Sequence, residues 1–185
     1  MTPPRSDARR NRERILKVAY EALAADSDTS LNAIAKSAGV GPGTLYRHFP
    51  TREDLILALY RQEVQALVGE VPATLAAHEP LEAIRVFFRR LAEYVRVKHG
   101  LGEALHTAAA QEAINETYAP VTAAVGQLLT AAQEAAEVRP GLDPADVLLV
   151  MGFLWRVPPG EAGLHQADRV LELVIDGLRR PGANR

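Results

Sequence analysis

Apolar residues along the chain recur almost throughout at the spacing of an α-helix. Ile15, Val18, Ala19, Ala22 and Leu23 follow one another in steps of three and four or their neighbours. That pattern draws one stripe along a first helix predicted from about Ala8 to Ala25, with its arginines on the polar face. Asp26 to Ser30 is turn chemistry ending in a capping hydroxyl, so a short second helix is expected from Leu31 and should stop at Gly39. A third short helix runs through Leu45 and Phe49, with Pro42 in a first turn that tolerates its missing N–H and Pro50 at its end.

Thr51 and Asp54 have capping-box spacing and open a long fourth helix carrying Ile56, Leu59, Tyr60, Val64, Leu67, Val68 and Val71. Pro72 to Glu79 reads as a loop. Pro80 starts a fifth helix with Leu81, Ile84, Phe88, Leu91 and Val95 on one face, closed by Gly100. A short helix through His106 precedes a longer one from about Asn115 to Glu137, with Tyr118, Val121, Val125, Leu128 and Ala132 inward and Pro120 in its first turn. Asp143 and Pro144 are a strong start for the helix holding Val147 to Trp155, which Pro158, Pro159 and Gly160 stop. A last helix is expected from about His165 to Leu178. No run alternates in the manner of strands between hairpin turns. The fold class is therefore all-α, about nine helices, with a three-helix head over residues 1–50 and a helical body over 51–185.

Composition narrows the possible chemistry. Among 185 residues, 48% are hydrophobic and 24% charged, an ordinary globular balance. The longest apolar run, Val147 to Trp155, is far short of the ~20 residues of a membrane helix, and the N-terminus lacks the apolar stretch of a signal peptide. A cytoplasmic protein with no membrane association is expected. With no cysteine, thiolate zinc sites and thiol nucleophiles are excluded. The five histidines are dispersed, and the single Glu103-x-x-His106 is one copy where a di-iron bundle needs two and further glutamates. No metal, no cofactor and no catalytic residues are expected.

Net charge is −2, but it is unevenly spread: residues 1–17 hold six Lys or Arg against two Asp or Glu. A basic leading segment on an otherwise acidic chain suits a polyanion met at one end only. Residues 31–49, LNAIAKSAGVGPGTLYRHF, supply the rest of such a site. Ala35 gives two short helices room to cross, Gly39 tolerates a positive φ in the turn, and Ile34, Val40 and Leu45 plug the core beneath. Thr44, Tyr46, Arg47 and His48 remain outside, with the length and hydrogen-bonding character to reach groove edges and phosphates. The arrangement is a helix-turn-helix.

These residues, with Arg52-Glu-Asp-Leu55, resemble the N-terminal DNA-binding region of the TetR (tetracycline repressor-like) family of bacterial regulators over about residues 10–60. The resemblance implies a homodimer with two heads, a connecting fourth helix, and a ligand-binding body whose last two helices form a four-helix bundle with the partner. It implies that Thr44 and Arg47 approach bases or phosphates, that Tyr46 and His48 hold the backbone of double-stranded operator DNA, and that Arg52 sits at a phosphate. Ser30, at the start of the second helix, is similarly placed by its free N–H groups. One departure stands out: Gly41-Pro-Gly43 offers no long side chain where relatives often carry a polar reader, so shape readout should carry more of the specificity.

In the body, Phe87, Phe88, Tyr94, His106, Tyr118 and Trp155 are candidate walls of a pocket for a small-molecule effector. Leu148, Met151, Trp155, Val170, Leu171, Val174 and Leu178 lie on apolar helices that a body of this size cannot cover alone, and are candidates for the dimer interface. The expected function is a homodimeric transcriptional repressor released from a palindromic operator by that effector. The competing expectation is a small helical ligand-binding protein or enzyme whose head is only structural, which predicts no sequence-selective DNA binding.

Overall fold

A computed structural model describes residues 5–26, 28–99, 108–158 and 161–181. Among them, helices follow in the order α1 (Arg5–Ala25), α2 (Leu31–Ser37), α3 (Pro42–His48), α4 (Arg52–Gly69), α5 (Val71–Ala77), α6 (Pro80–His99), α7 (Ala108–Glu134), α8 (Pro144–Val150), a 3₁₀ helix (Met151–Arg156) and α9 (Glu161–Leu178). The fold is all-α. The one β-type pairing among the described residues is an isolated antiparallel bridge between Val138 and Arg179. None of the described helices is long and apolar enough to cross a membrane.

Four boundaries differ from those expected, for local reasons. The stretch expected as a loop after Val71 is helix α5: Pro72 falls in its first turn, where no N–H is needed, and Thr74 donates from both its N–H and its hydroxyl to the Glu70 carbonyl at 2.9 Å. α7 begins at Ala108, so Pro120 lies inside the helix and not in its first turn. An interior proline costs roughly 3 kcal/mol, which the buried run Val121, Ala124, Val125, Leu128, Leu129 and Ala132 outweighs. α8 tightens after Val150 into a 3₁₀ helix of six residues, longer than the single tight turn with which α-helices often end. α9 starts at Glu161, with an acidic first turn that suits the helix dipole.

The chain packs as two units, Met1–Glu63 with Val97–Ala113, and Val64–Arg96 with Ile114–Arg185. Where the sequence pattern set a boundary near residue 50, the first unit keeps α4 as far as Glu63. The reason is that Leu55, Ile56, Ala58 and Leu59 complete the cluster formed by Ile15, Leu16, Ala19 and Leu23 of α1, Ile34, Ala35 and Ala38 around α2, and Leu45 and Phe49 around α3.

In the second unit, α6 turns Leu81, Ile84, Phe87, Phe88 and Leu91 inward, and α9 turns Gly163, Ala167, Leu171, Ile175 and Leu178 inward. Polar contacts tie the ends. Leu81 N–H donates to Glu137 Oε2 at 2.7 Å, Arg139 N–H to the Leu178 carbonyl at 3.0 Å, and Arg180 N–H to the Glu137 carbonyl at 3.1 Å. Arg85 of α6 grips Glu172 of α9 through two bonds, Nε to Oε1 at 2.8 Å and Nη2 to Oε2 at 3.1 Å, the bidentate geometry that makes a guanidinium–carboxylate pair directional.

Candidate nucleic-acid interface

α3 is only seven residues long and would not hold alone, so its neighbours fix both of its ends. Upstream, α2 is capped by Ser30, whose Oγ accepts from the Ala33 N–H at 3.2 Å. It ends in a Schellman turn: Val40 N–H donates to the Ala35 carbonyl at 3.0 Å and Gly39 N–H to the Lys36 carbonyl at 3.1 Å, with Gly39 at φ +64°. Gly39 supplies the left-handed conformation anticipated for it. Downstream, Thr51 and Asp54 form the expected capping box. Thr51 N–H and Oγ1 both donate to Asp54 Oδ2, at 2.9 and 2.7 Å, and Asp54 N–H donates back to Thr51 Oγ1 at 3.1 Å.

Between these clamps, Leu45 and Phe49 are one turn apart and buried in the head core. The opposite side of α3 is then exposed by geometry. Thr44, Arg47 and His48 share a face at i, i+3 and i+4; Arg47 is exposed, Thr44 and His48 half-buried, and Tyr46 on the flank is 42% exposed. The four side chains nominated on α3 are thus gathered on one short helix. Gly41 and Gly43 at its start face open space, since a Cβ on either would meet nothing within 4 Å.

Arg52 has a second occupation that its position in the motif did not reveal. Its Nη1 donates to the Thr29 carbonyl, joining the start of α4 to the loop between α1 and α2. A second long-range contact has no signal in the local spacing. Arg12 of α1 lies with its guanidinium carbon 5.5 Å from the centre of the Phe49 ring, and that ring is 6.1 Å from the His48 imidazole. Both links join residues more than twenty positions apart, and no local pattern signals them.

The nominated pocket residues do not form one site among the described residues. Phe87 and Phe88 are buried in the core, packed edge to face with ring centres 5.5 Å apart. Tyr118, expected on the inner face of α7, is instead 48% exposed, and the buried residue beside it is Thr117. His106 and the side chains of Tyr94 and Trp155 lie outside the described set. An open cavity of about 420 Å³ lies elsewhere in the second unit, between α8 and α9, walled by Val147, Val150, Val170, Leu173 and Val174. Of the residues nominated for the dimer interface, Met151 of the 3₁₀ helix and Leu171 and Leu178 of α9 are instead buried in the protomer's own core; on α9 the inward face steps by four and three residues through Gly163, Ala167, Leu171, Ile175 and Leu178. Leu148, Val170 and Val174 are half-buried. Among the described residues of α8 and α9, the large exposed apolar groups are Leu149, at 76%, Val150 and Leu173. Among the described residues no three His, Asp or Glu side chains gather as a metal-binding group.

Comparison with known proteins matches both units. Residues 15–59 fit the family model described as bacterial regulatory proteins, tetR family, and residues 79–180 fit that of the C-terminal domain of SbtR-like transcriptional regulators. A helix-turn-helix-type transcriptional regulator of Staphylococcus aureus is 36% identical over 66 residues, which are 35% of this chain and 36% of that protein, so the chain matches about a third of that relative's length. Similarity to solved structures is far more extensive. A TetR transcriptional regulator from Streptomyces coelicolor is 38% identical, with 91% of this chain and 98% of that one covered and a TM-score of 0.77. A TetR regulatory protein from Mycobacterium vanbaalenii is 36% identical, with 96% and 100% covered and a TM-score of 0.75.

Proposed function

Because the chain belongs to the TetR family of bacterial transcriptional regulators, we propose that it is a homodimeric repressor that occupies a palindromic operator and is released from it by a small-molecule effector. The observation that carries the reading is α3: a short helix pinned at both ends, anchored by Leu45 and Phe49, with Thr44, Arg47 and His48 on its outer face. A helix held at both ends brings its outer side chains to the groove with little loss of backbone freedom on docking, which favours selective over merely electrostatic binding. Tyr46 and Ser30 serve the flanking phosphates. The site is a DNA-reading one with no catalytic role, and it acts in the cytoplasm.

Two-fold pairing fits the exposed apolar groups of α8 and α9, since a closed dimer needs one self-complementary patch. The second unit is the part of the chain that would hold the effector, away from the exposed apolar groups that the pairing covers. α4 runs from the first unit into the second, and so is the continuous element through which ligand occupancy would change the separation of two heads.

The test is selection of bound duplexes from random DNA with the full chain. Enrichment of a palindrome whose half-site centres are about one helical turn of DNA apart, or a multiple, is the expected result. Absence of any enriched sequence at physiological salt would replace this reading with a helical ligand-binding protein whose head is structural.

A further inference from the structure

α1 carries several arginines, and their side chains are not equivalent. Arg9 is paired with Glu13 at 2.9 Å, Arg10 with Asp7, and Arg14 donates to Asn11 Oδ1 at 2.9 Å. Arg12 meets no carboxylate among the described residues. It lies three and four positions ahead of the buried Ile15 and Leu16, at the edge of the α1 face that enters the core. From there its guanidinium reaches across to lie 5.5 Å from the centre of the Phe49 ring.

Phe49 itself is 2% exposed, so Arg12 roofs a ring that closes the head core while its own charge stays at the surface. That charge therefore stands beside Phe49 at the C-terminal end of α3, just before the capping box that opens α4. Stacking on an aromatic face leaves the guanidinium's in-plane N–H groups directed outward, which is how arginine presents a flat donor edge to phosphate. A side chain already held in place gives up less freedom when it makes such a contact.

We infer that Arg12 is a phosphate-binding residue that extends the DNA interface from the helix-turn-helix onto α1, with Phe49 as its positioning platform. This rests on the DNA-binding reading above. The contact carries no base information, so it adds affinity to every duplex alike.

The experiment measures binding of Arg12→Gln and Arg12→Lys over a series of salt concentrations, on the duplex recovered from random DNA and on an unrelated duplex of the same length. Each phosphate contact contributes about 0.9 to the slope of log affinity against log salt. Arg12→Gln should therefore flatten that slope by about two units for a dimer on two half-sites, equally on both duplexes. Arg12→Lys should restore most of the slope, because it keeps the charge. Circular dichroism of each variant should match that of the parent. An unchanged slope for Arg12→Gln, with the parent binding its duplex, overturns this inference alone and leaves Arg12 as a cover for Phe49. Failure of the parent to bind any selected duplex overturns both this inference and the repressor reading.

Discussion

Arg52, the first residue of α4, donates its guanidinium to the backbone carbonyl of Thr29 across 23 positions of chain. The residue that the family motif would assign to a phosphate thus also fastens the loop that leads into α2. A hydrogen bond to a charged group contributes about 1.5–3 kcal/mol in general, and partial exposure of Arg52 should put this one at the lower end. Arg52→Ala is expected to destabilise the protein by about 1–2 kcal/mol in urea unfolding. If stability is unchanged and only the salt dependence of DNA binding falls, Arg52 is a phosphate contact and not a clamp.

The same Schellman geometry ends α2 and α7, but with different residues at the left-handed position. Gly39 has φ +64°, whereas Ala136 has φ +57°, with Glu137 N–H on the Ala132 carbonyl at 2.9 Å and Ala136 N–H on the Gln133 carbonyl at 3.0 Å. A left-handed L-residue costs roughly 1–2 kcal/mol that glycine avoids. Ala136→Gly should therefore raise stability by about 1 kcal/mol, and Gly39→Ala should lower it by a similar amount. A Cβ at Gly39 would meet nothing within 4 Å, so the effect there is backbone strain alone. Thermal unfolding of the two variants checks the opposite signs, and equal shifts in one direction would contradict the account.

Leu149 and Leu173 are 76% and 72% exposed, while Leu171, two residues before Leu173 on α9, is 1% exposed. The double variant Leu149→Glu with Leu173→Glu should keep the parent's helical spectrum but sediment as a monomer and bind DNA weakly. Leu171→Glu alone should unfold the second unit, since it would bury a carboxylate without a partner. An intact dimer in the double variant would move the interface to another surface.

Burial on α4 pushes the Glu63 carboxyl above its ordinary value of 4.5. The folded protein then binds the proton more tightly than the unfolded chain does. The penalty for the charged carboxylate is absent below about 4.5, grows as pH rises through the raised folded value, and is complete above it. Glu63→Gln should therefore be more stable than the parent at pH 7 and lose that advantage in acid. Urea unfolding at neutral and acidic pH measures it, and an equal advantage at both would show that charge is not the cause.

The head was legible because its determinants are local. Ser30, Gly39 and the Thr51–Asp54 pair act within one turn of where they stand, and the stripe of α1 fits its three-and-four spacing. The body was legible as helices but not in its details. Val71 to Ala77 contains a proline in a place where either loop or helix is allowed, and Pro120 sits inside α7 only because the long apolar run beyond it holds the helix together. Inward and outward positions on α9 differ by less than one turn, so an apolar stripe there does not by itself tell a partner's surface from the protomer's own core, where Leu171 and Leu178 lie. The links from Arg12 to Phe49 and from Arg52 to Thr29 depend on tertiary approach, and no spacing along the chain announces them.

The open space around Gly43 has an evolutionary consequence. A side chain introduced there would meet no neighbour, and the core behind α3 rests on Leu45 and Phe49, not on the glycine. On the proposed DNA-reading role of α3, changes in the preferred DNA sequence made here are thereby uncoupled from the ability to fold. After gene duplication, one copy of such a regulator can take on a new target through substitutions at this position without first passing through an unstable intermediate.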